Sequence, residues 1–243
     1  DTNVEGIRRE AIALMRLCPP KSSCSSLEQI LQQIIGKDSI KRPEDYEHYC
    51  EYIANLIDVV HYNGIYLPII EYIQGQTLRD FISDSQKITW EDAKYLMYQL
   101  LYAMSYIHSM GIVHRDIRHG NAMVDPSTLR IKIIDFSTAR PEDKEDNWII
   151  DSGNYTAPEQ RMGKSSRKSD VYSLGSVLLF ILTGKDPGEI KSLGLKDLTK
   201  LIKRHIDGID DLMVTRLLSL INRAMAYDAL SRFSDTVEMA LTF

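Results

Sequence analysis

The stretch that most limits what this chain can fold into is a short polar run behind an apolar one. Asp116 and Asn121 follow the apolar pair Ile112–Val113. Asp135 comes fourteen residues after Asn121, directly behind a second apolar run. Short apolar runs of this kind favour buried strands, so both acids are expected where a strand ends. Carboxylate and amide oxygens suit Mg2+ and an attacking hydroxyl, and the pattern therefore predicts phosphoryl-transfer chemistry.

These residues resemble two motifs of eukaryotic-type protein kinases. His114, Arg115 and Asp116, with Asn121 five residues further on, match the H-R-D-x-x-x-x-N catalytic loop. Asp135 opens the tripeptide D-F-S, which is similar to the D-F-G metal motif. The resemblance implies a kinase that uses ATP and Mg2+ and a protein substrate.

The resemblance also implies an α+β protein kinase-like fold. Residues 1–72 would form a partial N-terminal lobe with a regulatory helix, a helical insertion and two strands. Residues 73–243 would form a mostly helical C-terminal lobe. A chain of 243 residues with 44% hydrophobic and 26% charged residues can bury the core that such a fold needs.

The resemblance assigns roles to the polar residues of the two motifs. Asp116 would accept the hydrogen of the attacking hydroxyl, and Asn121 and Asp135 would bind Mg2+. Arg118 stands where serine/threonine kinases carry a lysine that contacts the γ-phosphate, and arginine keeps the charge with a different geometry. Ser137 replaces the glycine of D-F-G, so we expect fewer backbone conformations around Asp135.

A nucleotide-binding hinge is implied further upstream. Two apolar runs around an Asn-Gly pair predict a β-hairpin whose second strand extends to Ile73. In the kinase resemblance Ile70 is the gatekeeper, and backbone groups of Glu71 and Ile73 face the adenine. Met123 is assigned to the same nucleotide pocket. A plain β-hairpin would show the same pattern.

Two residues would act on the catalytic centre from outside it. Residues 3–17 space their apolar side chains as one helix face and resemble the regulatory helix, with Glu10 as the acid that pairs with a strand lysine. An exposed helix glutamate is the alternative. Ser152 stands where serine/threonine kinases carry a threonine, so it would donate to Asp116 and favour serine or threonine substrates over tyrosine.

Other residues would hold the large lobe together. Glu159 ends a motif that resembles A-P-E, and Arg232 is placed to pair with it. Asp170 begins an apolar helix and would accept hydrogen bonds from the catalytic loop. Arg115 commonly binds a phosphate on the activation segment, but residues 141–151 contain no serine, threonine or tyrosine. We therefore expect Arg115 to pair with one of five carboxylates, Glu142, Asp143, Glu145, Asp146 or Asp151, although a solvated acidic loop is equally compatible with the pattern.

Residues 18–56 resemble nothing in the family pattern. A capping box and apolar spacing predict a helix over residues 25–36, and a second helix is expected over residues 43–55. In most kinases this connection is short, so we infer an insertion of about 25 residues. It would be a docking surface for a partner or a local replacement for missing structure.

The glycine-rich loop and the phosphate-anchoring lysine have no counterpart before Glu10. The lysine would lie about fifteen residues upstream of Glu10, by the family spacing. Either the sequence is a fragment of a longer kinase, or the protein dispenses with its first three strands.

Composition argues against several other classes. The net charge of -5 gives no basic field for nucleic acid. Cys18, Cys24 and Cys50 lack C-x-x-C spacing, which favours unpaired thiols in a reducing, cytoplasmic compartment over a metal site shared with His48. No apolar run approaches the ~20 residues that a membrane span needs.

Three functions fit the sequence to different degrees. A protein serine/threonine kinase accounts for the motifs best. A pseudokinase or scaffold that keeps the fold and binds partners is the alternative, because the roof of the ATP site is absent. A small-molecule phosphotransferase fits less well, because the A-P-E motif and the Asp170 helix build a platform for protein substrates.

Overall fold

The computed structural model describes residues 2–17, 49–62, 65–85, 87–143 and 148–243. Within these residues the helices are α1 (Thr2–Leu17), α2 (Leu78–Asp84), α3 (Trp90–Ser109), α4 (Arg167–Thr183), α5 (Leu195–His205), α6 (Asp211–Ala224) and α7 (Thr236–Thr242). The strands are β1 (Leu56–Tyr62), β2 (Ile65–Ile70), β3 (Gln76–Thr77), β4 (Ile88–Thr89), β5 (Ile112–Val113), β6 (Ala122–Val124), β7 (Ile131–Ile133), β8 (Arg140–Pro141) and β9 (Ile206–Asp207). The predicted helix over residues 25–36 and the Asn-Gly turn lie outside the described residues.

The N-terminal elements are a helix and a β-hairpin that pack together. The apolar face of α1 buries Ala11, Leu14 and Leu17 and lies against β1 and β2. The two strands are antiparallel, with Leu56 opposite Ile70, so the predicted hairpin strands are confirmed. Prolines at positions 19 and 20 cannot extend a helix, which agrees with the end of α1.

Two predicted boundaries in this region are wrong. The second hairpin strand ends at Ile70 rather than Ile73. The helix predicted to reach residue 55 does not, because the chain forms a 3-10 turn over Tyr49–Tyr52 and leaves it. Ile53 then bridges to Ile133 of β7, and the amide of Ala54 donates to the carbonyl of Ile133 at 3.0 Å. This pairing with a distant strand overrides the local helical pattern.

The C-terminal part is organised around α3 and α4. The 3.6-residue apolar spacing predicts α3, and the helix buries that face completely. Almost every side chain of α4 is buried, as its apolar sequence predicts. Gly175 allows α4 to approach α6 closely: a Cβ at this position would lie 2.8 Å from the Cβ of Ala224 and 2.9 Å from Cγ of Met225. The predicted segments near 195–205, 211–226 and 234–241 correspond to α5, α6 and α7.

Two short sheets place the polar motifs. Strands β3, β6 and β7 form one sheet, in which Ala122 pairs with Ile133. Strand β5 pairs with β8 in another. Asn121 therefore enters β6 at the point where Ile134 leaves β7, and the amide of Ile134 donates to the carbonyl of Asn121 at 2.9 Å.

Candidate active site

The structure brings Asp116, Asn121 and Asp135 into one neighbourhood. Asn121 contacts Asp116 directly through its side chain, and its backbone is bonded to the residue before Asp135. The imidazole of His114 packs on the ring of Phe136 with the ring centres 4.7 Å apart, which joins the two motifs from behind. Asp116 follows β5 and Asp135 follows β7, as the sequence pattern predicts, and Asn121 lies directly before β6.

The carboxylate of Asp116 is held on one oxygen and open on the other. Asn121 Nδ2 donates to Asp116 Oδ2 at 2.7 Å and to the Asp116 carbonyl at 2.9 Å. Arg118 Nε lies 3.4 Å from the same Oδ2. Oδ1 is buried and has no hydrogen-bond partner among the described residues. Leaving a buried carboxylate oxygen without a hydrogen-bond partner costs free energy. The open Oδ1 therefore points to a ligand that donates a hydrogen bond to it.

The oxygens that remain on Asn121 and Asp135 suit a magnesium ion. Because Asn121 Nδ2 donates to Asp116, the amide is turned so that its Oδ1 accepts no hydrogen bond from a described residue. Asp135 likewise keeps Oδ2 without a described partner. In the described part of the chain no cluster of three or more His, Cys, Asp or Glu side chains could hold a metal. One amide and one carboxylate are the incomplete set that Mg2+ accepts when nucleotide phosphates and water fill its other positions.

Asp135 itself has an unusual backbone. Its φ of 63° lies in the left-handed region, which costs energy for a residue other than glycine. Ser137 stabilises this turn, because its hydroxyl donates to Asp135 Oδ1 at 2.6 Å and its amide donates to the same oxygen at 3.2 Å. The D-F-S sequence therefore adds a bond that glycine lacks at this position.

Glu10 faces the same turn from α1. Its side chain accepts a hydrogen bond from the backbone of Phe136. Burial, and next the negative charge of Asp135, raise the pKa of Glu10 above its ordinary value. No described residue forms an ion pair with Glu10. The structure thus places the predicted regulatory acid beside Asp135, and no lysine of the described residues pairs with it.

The catalytic loop is fixed by a buried acid on α4. Asp170 accepts hydrogen bonds from the amides of His114 at 2.9 Å and Arg115 at 2.8 Å, and from Nε2 of His108 at 2.9 Å. Burial opposes its ionisation, but the bond from His108 and the neighbouring donors hold the pKa of Asp170 below its ordinary value. Arg115 has a φ of 73°, and these bonds offset the strain of that conformation.

Glu159 and Arg232 form a bidentate ion pair. The two Nη atoms of Arg232 lie 2.7 and 2.9 Å from the two carboxylate oxygens of Glu159. Ser169, at the start of α4, donates to the same carboxylate at 2.7 Å. Burial opposes ionisation of Glu159, yet the bonds from Arg232 and Ser169 keep its pKa below the ordinary value. The pair ties the segment after the predicted activation loop to the C-terminal helices.

The predicted nucleotide residues lie along the edge of this centre. Glu71 bonds to Asn55 through its amide, at 2.9 Å, and its carboxylate pairs with Lys132 of β7, which attaches the predicted hinge to the sheet that carries Met123. Ile70 is 38% exposed, and Ile73 is half-buried. Their roles toward adenine remain predictions.

Among the described residues, the predicted contact of Ser152 with Asp116 is not seen, and the Nε of Arg115 bonds to a backbone carbonyl rather than to an acidic side chain. Ser152 does not bond to the open Oδ1 of Asp116. Arg115 Nε donates to the carbonyl of Thr138 at 2.5 Å, while Glu142 pairs with Arg167 and Asp151 with Arg161. Two of the five candidate carboxylates are therefore engaged elsewhere. Glu145 and Asp146 lie outside the described residues.

Sequence reasoning missed two features around the centre. Arg9 of α1 lies 3.9 Å from the centre of the Trp148 ring, so the predicted regulatory helix is in contact with the segment that follows the acidic loop. A cavity of about 410 Å3 opens beside Arg118. Both join residues that are distant in the sequence, and no local pattern marks them.

The fold and the site define the class of protein. A family model described as "Protein kinase domain" matches residues 40–242. The chain belongs to the protein kinase family. Among the described residues, no helix combines the length and the apolar character needed to cross a bilayer.

Three curated relatives are bacterial proteins named as serine/threonine kinases. The chain is similar to "Serine/threonine-protein kinase PrkC" of Bacillus subtilis, with 32% identity over 77% of this chain and 30% of the relative. "Serine/threonine-protein kinase D" of Synechocystis is 27% identical over 95% of this chain and 46% of its own length. "Probable serine/threonine-protein kinase PknB" of Bifidobacterium longum is 37% identical over 49% of this chain and 18% of its own length. The chain thus spans less than half the length of each of these relatives.

Proposed function

We propose that this chain transfers the γ-phosphate of ATP to serine or threonine hydroxyls of proteins, with Mg2+ as the metal. The observation that carries the proposal is the open Oδ1 of Asp116, a buried oxygen whose carboxylate is held in place through its other oxygen. Membership of the family and the names of the relatives support the reaction class.

The residues of the site would divide the reaction between them. The substrate hydroxyl donates to Asp116 Oδ1 and its oxygen attacks the γ-phosphorus, while the bond from that phosphorus to the bridging oxygen of ADP breaks. The hydroxyl proton passes to Asp116. Arg118, next to Asp116 Oδ2, is positioned to contact the transferred phosphoryl group. Asn121 and Asp135 would hold Mg2+, which supplies neutralising charge to the phosphates.

The preference for serine or threonine rests on Ser152 and on the relatives. Ser152 lines the cavity next to Arg118, on the side of the catalytic loop where a protein substrate would approach. Its hydroxyl has no partner among the described residues and is available to a substrate. We also infer that this kinase domain works in the cytoplasm.

One observation favours a second function, a kinase-fold scaffold without catalysis. Glu10 is partly buried and has no ion pair among the described residues. In the family resemblance this acid aligns the lysine that anchors the nucleotide. A kinase fold that does not turn over can still bind partner proteins, and the predicted insertion at residues 18–56 would be their docking site.

Transfer of radiolabelled phosphate from ATP to a generic protein substrate separates the two functions. We expect incorporation into serine or threonine, and Asp116→Asn should reduce the rate by about 100-fold or more, as loss of a general base does. Asp197→Asn, at an exposed acid of α5, is the matched control and should leave the rate unchanged.

A thermal-shift measurement with Mg-ATP tests nucleotide binding in the same samples. No incorporation by the unchanged chain, together with no shift of Tm by Mg-ATP, contradicts the kinase proposal and favours the scaffold.

A further inference from the structure

The cavity beside the catalytic loop is built by four separate parts of the chain. Its walls come from α2, from the catalytic loop at Arg118, from residues 152–155 and from the loop that follows α4. At about 410 Å3 it has room for one or two side chains of a bound peptide. Arg118 connects the cavity to the catalytic loop, because it lines the cavity and its Nε lies 3.4 Å from Asp116 Oδ2.

Three cations line the cavity, and two of them have no acidic partner in the part of the chain that the structure describes. Arg118 is next to Asp116, whereas Arg79 and Lys185 form no ion pair with any residue that the structure describes. Both side chains are exposed at the rim. A guanidinium and an ammonium group left without carboxylates on the two sides of one cavity are available to an anion that enters it.

The acids of the cavity accept hydrogen bonds from its own walls, and Asp186 Oδ2 also lies 3.9 Å from Nε2 of His119. Asp186 Oδ1 accepts from Asn154 Nδ2 at 2.7 Å and from the amide of Gly188 at 2.9 Å. Glu189 Oε1 accepts from the amide of Asp186 at 3.1 Å. These bonds hold the two carboxylates in place, and three cations against two anions leave the lining with one net positive charge.

The remaining polar groups fit the same ligand. Ser83 and Ser152 line the cavity, and their hydroxyls have no hydrogen-bond partner among the described residues. The floor is the imidazole of His119, packed edge-on against the rings of Tyr155 and Phe180. Burial, and then the charge of Arg79, lower the pKa of His119 to about 4, so the floor is uncharged at neutral pH. Hydroxyl donors beside an arginine and a lysine form a setting for a carboxylate or a phosphorylated side chain.

We propose that this cavity binds an acidic side chain of the protein substrate, within about three residues of the phosphorylated hydroxyl. An extended peptide advances about 3.5 Å per residue, so an anion in the cavity and a hydroxyl at Asp116 can belong to one short segment. The proposal deepens the proposed function and rests on it, because it names the substrate class of the same site: serines or threonines in acidic segments.

Peptide binding tests the cavity without requiring turnover. Two fluorescent peptides have the same composition and one serine each, with the glutamates either near the serine or at the far end of the peptide. We expect the first peptide to bind this chain more tightly. Arg79→Gln and Lys185→Gln should each weaken its binding about two- to fivefold, the range for partly exposed ion pairs. Arg216→Gln and Lys196→Gln remove exposed charges that do not line the cavity and are the matched controls.

The outcomes separate this proposal from the proposed function. Equal affinity for the two peptides, no measurable binding of the first, or equal losses in the cavity and control variants would each overturn the acidic preference. Phosphate transfer is measured on the same peptides. If the unchanged chain prefers the first peptide and the cavity variants weaken this preference, but no peptide is phosphorylated, the binding preference holds and the kinase assignment fails.

Discussion

The hydroxyl of Ser137 donates to Oδ1 of Asp135 at 2.6 Å, so a side chain two residues away orients the proposed metal ligand. Groups that orient a metal ligand typically change metal affinity 10- to 100-fold when removed. We expect Ser137→Ala to weaken Mg2+-dependent nucleotide binding about tenfold, at the low end of that range, because the Ser137 amide still reaches the same oxygen. Isothermal titration with Mg-ATP measures the change.

The chain contains a matched control for this prediction. Ser127 donates to Oδ1 of Asp125 through its hydroxyl at 2.7 Å and its amide at 2.9 Å, which repeats the geometry on the surface. Ser127→Ala should leave nucleotide binding unchanged. Tighter binding in Ser137→Ala would show that the hydroxyl competes with the metal rather than orienting its ligand.

The buried ion pair between Arg232 and Glu159 should contribute more to the free energy of unfolding than an exposed ion pair does. The Arg232 side chain is fully buried, and Arg232→Gln leaves a partly buried carboxylate without its cation. Breaking such a pair costs about 3–5 kcal/mol. Arg167→Gln breaks the exposed pair with Glu142 and should cost less than about 1 kcal/mol. Urea unfolding compares the two variants, and similar losses would contradict the prediction.

The same pair should make stability depend on acid pH. The pKa of Glu159 in the folded chain lies below its ordinary value of 4.5, so the stability from its ionised form is complete above that value. It is lost as the pH falls through the lower, folded-state pKa. The difference in unfolding free energy between the unchanged chain and Arg232→Gln should shrink in this acidic range. A difference that is constant with pH would show that Glu159 ionisation does not contribute.

Ionisation of Glu10 should have the opposite effect on stability, because it should destabilise the folded chain. Its raised pKa means that the protonated form is favoured in the folded chain, so this stability is complete below 4.5 and is lost as the pH rises through the folded-state pKa. Glu10→Gln removes the buried negative charge. We expect a higher Tm than that of the unchanged chain at pH 7, and an advantage that disappears in acid. A lower Tm at pH 7 would indicate that a cation compensates Glu10.

Gly175 should be intolerant of even a methyl group. A Cβ there would lie 2.8 Å from the Cβ of Ala224, between two packed helices. Overpacking of this kind costs about 1–3 kcal/mol. Gly194→Ala is the control, because no atom lies within 4 Å of its added Cβ and its φ of -76° suits alanine. It should lose less than about 1 kcal/mol, the cost of a weaker helix cap. Thermal unfolding distinguishes them.

The sequence allowed the helices and the meeting of Asp116 with Asn121 to be predicted because their signals are local. The apolar spacing of α3 requires only its own residues, and Asn121 is five residues from Asp116. The position of Asp135 near them could also be predicted, because β6 and β7 are close in the sequence and pair antiparallel, which brings the two motifs together.

The features that could not be predicted depend on contacts between distant residues. Ile53 leaves a helical pattern because it pairs with Ile133, eighty residues away. Arg79 and Lys185 look like ordinary surface cations in the sequence, and only the folded chain places them around one cavity. The bond from Ser137 to Asp135 was also missed, since glycine at that position in the family gives no reason to expect a side-chain donor.

The hydrogen bonds from His114 and Arg115 to Asp170 give the catalytic loop a foundation inside α4. Asp116 follows immediately, so any tilt of that helix is transmitted to the carboxylate that would receive the proton. On its far side, the helix packs closely against Ala224 at Gly175. A substitution that changes how α4 packs on α6 is therefore expected to shift the backbone that carries Asp116 as well.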